Sequence, residues 1–99
     1  MPRHAPRDAA IRIKTDVVFR DLDGEMVLLN LASGVYFGLD PVGTRIWGLI
    51  AEQRSPAEIV TMLTAEYEVD AETCDADLWN LLDTLAENEL IDLSDGPAR

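Results

Sequence analysis

The chain has 99 residues, of which 47% are hydrophobic, and this length suits one compact domain with one core. It contains no run of about 18 apolar residues and no apolar export segment near its N-terminus, so we expect a cytoplasmic protein without membrane contact. Cys74 is the single cysteine and His4 the single histidine. An internal disulfide and a cysteine-based structural metal site are therefore excluded, and we expect neither a metal nor a cofactor.

The net charge of -11 is concentrated in the second half of the chain. Residues 1–54 hold seven basic and seven acidic side chains, whereas residues 55–99 hold twelve acidic side chains and one basic residue, Arg99. A polyanion that approaches the second half is repelled.

Three short apolar segments in the first half have the pattern of β-strands. We place them at residues 17–21, 26–30 and 35–39, separated by the turn-forming pairs Asp23-Gly24 and Ser33-Gly34. Strands joined by such tight turns form an antiparallel meander, in which the first or the third strand lies at an edge. Residues 1–15 precede this pattern, carry prolines and arginines, and are predicted to be a flexible tail.

From Asp40 onward the apolar period changes from two residues to about 3.6, which indicates helices. Asp40-Pro41 opens the first helix as an N-cap followed by proline, and Ser55-Pro56-Ala57-Glu58 opens the second with a capping box. Asp70 is predicted to cap the third, which continues to about Asn88. Residues 90–93 suggest a short terminal strand or packed extension, and residues 94–99 a frayed end.

The predicted fold is therefore α+β: a three-stranded antiparallel meander followed by three helices, similar to a winged helix-turn-helix, with the folded domain at residues 16–93. On the third strand, alternation assigns Phe37 to the core and Tyr36 to a flank. Trp47 is predicted to lie in the core. For Trp79 two positions remain open, a flank of the core or an exposed anchor.

Candidate catalytic groups are few. Nothing fixes the ring of His4 where a general base must sit, and Cys74 falls at a position where a small apolar side chain packs. The acidic pairs Asp75/Asp77 and Glu87/Glu89 have i,i+2 spacing and point to different helix faces, so they form neither a carboxylate dyad nor a metal site. We therefore expect a protein without enzymatic activity.

Winged-helix domains commonly place their third helix in the major groove of DNA, where cationic side chains are needed. The corresponding helix here carries no lysine or arginine, and it has acidic residues at Asp70, Glu72, Asp75, Asp77, Asp83 and Glu87. Repulsion from the phosphates argues against direct nucleic-acid binding.

Four motifs resemble, in order and spacing, the PqqD-like proteins, which include the coenzyme PQQ synthesis protein D and the RiPP recognition elements of ribosomal peptide biosynthesis. The motifs are Leu28-Leu29-Asn30, Ser33-Gly-Val-Tyr-Phe-Gly-Leu-Asp40, Gly43-Thr-Arg-Ile-Trp-Gly-Leu49 and Leu81-Leu-Asp-Thr-Leu85. The likeness spans residues 17–93. Glu89 stands where the family usually has glycine, near the end of the third helix. Asn30-Leu-Ala-Ser33 and Ala51-Glu-Gln-Arg54 replace two features of the PQQ protein proper, so the pattern is closer to stand-alone lasso-peptide leader-binding proteins.

The resemblance implies a non-catalytic chaperone that binds the leader of a precursor peptide and presents it to a partner peptidase or modifying enzyme. In that family the leader adds as a strand beside the third strand and rests against the third helix. Carried over, this assigns peptide binding to Val35, Tyr36 and Phe37 on the strand, and to Cys74, Asp75, Leu78, Trp79 and Leu82 on the helix.

Elementary physics supports such a role independently. An edge strand has unpaired amides that can accept another strand, and an acidic helix wall favours a basic leader. Three alternatives remain: a PQQ-type chaperone serving a radical SAM enzyme, a winged-helix transcriptional regulator, and an adaptor domain whose edge strand pairs with a second copy. We expect a monomer or a weak dimer.

Overall fold

The structure, a computed structural model, describes residues 10–94 and contains five strands and three helices within them. The strands are β1 (Ala10–Ile13), β2 (Val17–Leu22), β3 (Glu25–Asn30), β4 (Tyr36–Gly38) and β5 (Ile91–Ser94), and the helices are α1 (Pro41–Ala51), α2 (Pro56–Glu66) and α3 (Ala71–Glu87). Strands β2, β3 and β4 form an antiparallel meander in that order, and β1 pairs with β5 in a separate two-stranded sheet. The predicted α+β architecture is confirmed.

The prediction of a flexible tail over residues 1–15 is wrong for residues 10–13, which form β1. Ile11 is buried, and β1 pairs antiparallel with β5, so that Ile11 lies opposite Leu93 and Ile13 opposite Ile91. Lys14 Nζ also lies 3.1 Å from Asp92 Oδ1. Because β5 lies almost 80 residues further along the chain, a local sequence pattern near the N-terminus cannot predict this pairing. The predicted terminal strand near residues 90–93 is confirmed as β5, and the prediction of a frayed end is wrong for Ser94, which pairs with Ala10 in this strand. The rest of the predicted tail, residues 1–9, and residues 95–99 of the predicted frayed end lie outside the described residues.

Two of the three predicted helix caps are formed. Asp40 Oδ1 accepts a hydrogen bond from Gly43 N at 2.7 Å. Ser55 and Glu58 form the reciprocal capping box, with N···O distances of 3.2 and 3.0 Å. Asp70 has the N-cap backbone conformation, but its side chain makes no capping hydrogen bond. Its contribution at the start of α3 is therefore the favourable position of a negative charge at a helix N-terminus.

One continuous core joins all three helices to both sheets. Trp47 and Leu28 are 0% exposed, and Phe19 packs edge-on against Trp47 with ring centroids 5.5 Å apart. Trp79 is 3% exposed, which resolves the open alternative in favour of the core. The apolar contacts of α3 therefore hold that helix against the rest of the domain.

Helix α3 ends in a strained residue. Glu89 follows the C-cap Asn88 and has φ +61°, in the left-handed region that glycine adopts without a steric penalty. Glu89 N donates to Ala86 O at 3.0 Å and Leu90 N to Leu85 O at 2.9 Å, so the chain reverses here before β5. This is the position at which the family resemblance expects glycine, and the backbone explains why.

We predict that Glu89→Gly raises the free energy of unfolding by about 0.5–1 kcal/mol, because glycine relieves the left-handed strain and leaves the backbone hydrogen bonds intact. Urea unfolding followed by circular dichroism measures this. The control is Ala76→Gly, at an exposed position in the interior of α3, which should instead lower the free energy of unfolding by about 0.5–1 kcal/mol. Equal destabilisation by both substitutions would contradict the assignment of strain to Glu89.

Candidate functional site

Strand β4 is an open edge of the three-stranded sheet. It pairs with β3 on one side, and β3 separates it from β2. The register places Tyr36 opposite Leu29, Phe37 opposite Leu28 and Gly38 opposite Val27. A second strand can therefore add to the sheet along β4.

Antiparallel pairing determines which backbone groups of β4 are available. Asn30 N donates to Val35 O at 3.0 Å and Leu39 N donates to Met26 O at 2.8 Å. Hydrogen-bonded pairs alternate along an antiparallel ladder, so the odd-numbered residues 35, 37 and 39 direct their backbone groups toward β3. Tyr36 and Gly38 direct their N–H and C=O groups away from the sheet. The edge thus offers two donors and two acceptors.

This alternation divides the predicted strand residues. Of Val35, Tyr36 and Phe37, only Tyr36 has outward backbone groups. Gly38 supplies the other outward pair and was missed by the sequence analysis. Alternation counted from the Ser33-Gly34 turn, together with a glycine inside a strand, is the sequence signal that could have identified it.

The side chains of β4 lie on the two faces predicted for them. Phe37 is half-buried and packs against the core, whereas Tyr36 is 71% exposed on the opposite face. No atom of a residue other than Gly38 and its two chain neighbours lies within 4 Å of the position that a Cβ on Gly38 would occupy. The solvent face of β4 is therefore uncovered at Gly38, and Tyr36 is its one large side chain.

The residues predicted on the third helix are mostly inaccessible. Leu78 and Leu82 are 0% exposed, Trp79 3% and Cys74 6%, so these four belong to the core. Asp75 is partly exposed. A cleft lined by the open side chains of Leu78 and Leu82 is absent from the described residues, and the contribution of all five to peptide binding stays a prediction.

A buried asparagine connects the β3–β4 turn to the end of α3. Asn30 Oδ1 accepts hydrogen bonds from Ala32 N at 2.8 Å and Ser33 N at 3.1 Å, while Asn30 Nδ2 donates to Glu89 O at 2.6 Å. Asn30 is 2% exposed. The segment that leads into β4 is thereby joined to the residue that ends the strained turn after α3.

The start of α3 has a negative electrostatic potential. Burial raises the pKa of the Cys74 thiol, and the negative charges of Asp77, Asp75 and Asp70 raise it further. Helix α3 itself contains no basic residue.

Helices α1 and α2 are joined by an ion pair. Two hydrogen bonds from the Arg45 guanidinium on α1, at 3.0 and 2.5 Å, lower the pKa of the Glu66 carboxyl on α2.

The opposite edge of the sheet, β2, is less open. Leu31 N donates to Asp16 O, so by the same alternation Val17, Phe19 and Asp21 direct their backbone groups outward. Val17 N already donates to Lys14 O at 3.1 Å, and β2 carries the charged residues Arg20 and Asp21. Charge on an edge strand opposes strand addition.

A family model described as coenzyme PQQ synthesis protein D matches residues 25–91. The chain belongs to the PqqD family. The match begins with β3 and ends at the first residue of β5, so it includes the open edge strand, all three helices and the Asn30–Glu89 contact. The resemblance read from the four sequence motifs is confirmed.

Two solved structures share this fold at substantial sequence identity. A structure described as TbiB1 in complex with the TbiA(beta) leader peptide is 48% identical, covers 82% of this chain and 94% of its own, and has a TM-score of 0.80. A structure described as lasso peptide synthetase B1 complexed with the leader peptide is 30% identical, covers 83% and 96%, and has a TM-score of 0.78. Comparison with curated proteins found no match.

Other kinds of site find no support in the described part of this PqqD-family chain. Residues 10–94 contain no group of three or more histidine, cysteine or acidic side chains placed to hold a metal ion. Within the same residues no helix has both the length and the apolar character needed to cross a bilayer.

We predict that Cys74 reacts with a thiol reagent such as DTNB at pH 8 about 100-fold or more slowly in the folded protein than in guanidinium. The thiol is buried and its pKa is raised, so little thiolate is present and little of it is accessible. Absorbance at the wavelength of the released thiolate follows the reaction. A folded-state rate close to the unfolded rate would show that α3 does not protect this residue.

Proposed function

We propose that the protein is a non-catalytic leader-peptide-binding chaperone of RiPP biosynthesis. The leader of a precursor peptide adds to β4 as a further strand, and the complex presents the rest of the precursor to a partner peptidase or modifying enzyme. The observation that carries the proposal is the open β4 edge, with Tyr36 and Gly38 directing their backbone groups outward. The proposal is also supported by the two similar structures, because both are described as complexes with leader peptides.

The size of the edge requires side-chain contacts in addition to backbone pairing. Two outward residues allow up to four backbone hydrogen bonds, which at a net value of about 1 kcal/mol each give about 4 kcal/mol. A dissociation constant between about 10 nM and 10 μM corresponds to about -11 to -7 kcal/mol. The remaining 3–7 kcal/mol or so must come from peptide side chains.

Strand geometry indicates where those side chains go. A peptide residue opposite Tyr36 or Gly38 points to the outer face, and the residues between them point to the face on which Phe37 packs against the core. Contact with the helical side of the site is thus made by every second residue of the leader. Cys74, Leu78, Trp79 and Leu82 are buried in the core, so Asp75 is the accessible one of the predicted helix residues for such a contact.

The charge distribution favours a leader with basic residues. The acidic side chains near the start of α3 are not offset by any lysine or arginine on that helix. A lysine or arginine on a helix-facing position of the leader gains from this potential, most strongly at low salt.

A lasso peptide pathway is the preferred setting, because one of the similar structures is described as a lasso peptide synthetase B1. The enzyme to which this protein presents the precursor would then be a leader peptidase. A PQQ-type chaperone that serves a radical SAM enzyme is the second candidate, favoured by the family model for coenzyme PQQ synthesis protein D. The genes that flank this one distinguish the two settings.

We predict that the leader of the precursor peptide encoded beside this gene binds with a dissociation constant between about 10 nM and 10 μM. Isothermal titration calorimetry measures the affinity, with the TbiA(beta) leader as a reference ligand. In NMR spectra of labelled protein, changes should concentrate at residues 35–39 and 74–82. Changes concentrated on β2 would move the site to the other sheet edge, and changes at residues 52–62 would contradict both locations.

The backbone contribution is tested at Gly38, whose N–H faces the open edge. We predict that Gly38→Pro weakens leader binding about tenfold or more, because proline removes a donor that pairs with the peptide and places a ring at the edge. Gly38→Ala is the matched control. It retains the N–H and adds a Cβ in open space, so its affinity should stay within about threefold of the original. Equal losses in both variants would argue against strand addition at β4.

We predict no measurable binding of duplex DNA at about 0.15 M salt, because residues 55–99 carry twelve acidic side chains and one basic side chain. Fluorescence anisotropy with a labelled duplex measures this. A salt-sensitive affinity in the micromolar range would instead support the winged-helix regulator, which the fold alone permits.

A further inference from the structure

Asn30 combines two tasks in one side chain. Among the residues that the structure describes, Asn30 is the one polar residue that is buried, and 2% of it is exposed. Its carbonyl oxygen organises the turn after β3, because it accepts from Ala32 N and Ser33 N. Its amide nitrogen makes a contact of a different kind, to Glu89 O at 2.6 Å, 59 residues away.

The local task alone does not require asparagine. A carboxylate accepts two backbone N–H groups at least as well as an amide oxygen does, and aspartate is equally suited to such turns. What the amide adds is a donor. That donor is directed at the carbonyl of Glu89, two residues beyond α3, where the chain reverses before β5.

One end of this contact leads into β4, and the other follows the end of α3, the helix that carries the predicted peptide-binding residues. Asn30 N donates to Val35 O and Gly34 N donates to Asn30 O, at 3.0 and 2.7 Å, so the position of Asn30 determines where β4 begins. Glu89 terminates α3 in its left-handed conformation. We propose that Asn30 is a positioning residue for peptide binding, whose amide maintains the separation between the start of β4 and the end of α3.

This inference rests on the proposed function, since it concerns the same site. It assigns Asn30 no contact with the peptide. The peptide must touch both β4 and the helical side at once, and a hydrogen bond joining these sides reduces the conformational freedom that binding would otherwise have to remove.

The decisive variant is Asn30→Asp, which retains both acceptor contacts of the turn but replaces the donor with a carboxylate oxygen facing Glu89 O. Leader affinity should fall about fivefold or more. Asn30→Ser is the second variant, because its hydroxyl can still accept in the turn but is too short to reach Glu89, and it buries no charge. It should show a loss in the same direction.

A loss of general stability is separated from this effect by Val60→Ala. Val60 is 5% exposed and lies on α2, which carries none of the residues proposed for peptide contact. This variant lowers the melting temperature through lost packing. At a temperature where all variants are folded, it should bind leader within about twofold of the original protein.

A readout without ligand completes the test. A nitroxide attached through Tyr36→Cys broadens the amide signals of residues 86–89 according to their distance from β4, and Cys74 stays unlabelled because it is buried. This relaxation pattern should change in Asn30→Asp and stay constant in Val60→Ala. An unchanged pattern, or undiminished leader affinity in both Asn30 variants, would overturn the positioning role. Absence of leader binding by the original protein would instead overturn the proposed function on which it rests.

Discussion

The hydrogen-bond ladder between β3 and β4 is the constraint on which the proposed site depends. Antiparallel pairing uses the backbone groups of alternate residues, so residues 35, 37 and 39 face β3, to which Val35 O and Leu39 N are hydrogen-bonded. Tyr36 and Gly38 are left with groups that water or another strand must satisfy. The same ladder directs Phe37 into the core and Tyr36 to solvent. The register of β4 against β3 therefore determines both which groups hold β4 in the sheet and which groups remain available at its edge.

A site built on three residues of edge strand depends on what holds that strand in place. The apolar core supplies the general support, since Leu28, directly opposite Phe37, is 0% exposed. The hydrogen bond between Asn30 and Glu89 fixes the orientation of the β3–β4 turn relative to the end of α3, because a hydrogen bond requires a defined distance and angle. The hydrophobic effect has no such directional requirement. The acceptor of this hydrogen bond belongs to a residue in a strained conformation. Strain at such a position persists only when the surrounding structure stabilises it elsewhere.

The apolar stripe of α3 that was predicted to contact the peptide lies in the core of the protein. Cys74, Leu78, Trp79 and Leu82 lie at helical spacing on α3, and that pattern identifies a buried face whether the face is covered by the protein's own core or by a ligand. Their exposures of 0–6% show that the core covers it. Periodicity reports burial, and it cannot report which partner causes the burial.

Local chemistry in the sequence determined the three helix starts, the two tight turns, the three meander strands and the acidic character of α3, because each depends on residues within a few positions of one another. It also carried the family motifs, which the match over residues 25–91 confirms. Only the tertiary structure decided the pairing of β1 with β5, the burial of Trp79, the choice of Gly38 over Val35 as a free edge residue, and the contact between Asn30 and Glu89. These features join residues that are distant in sequence or depend on the register of one strand against another, and a linear pattern contains neither distance nor register.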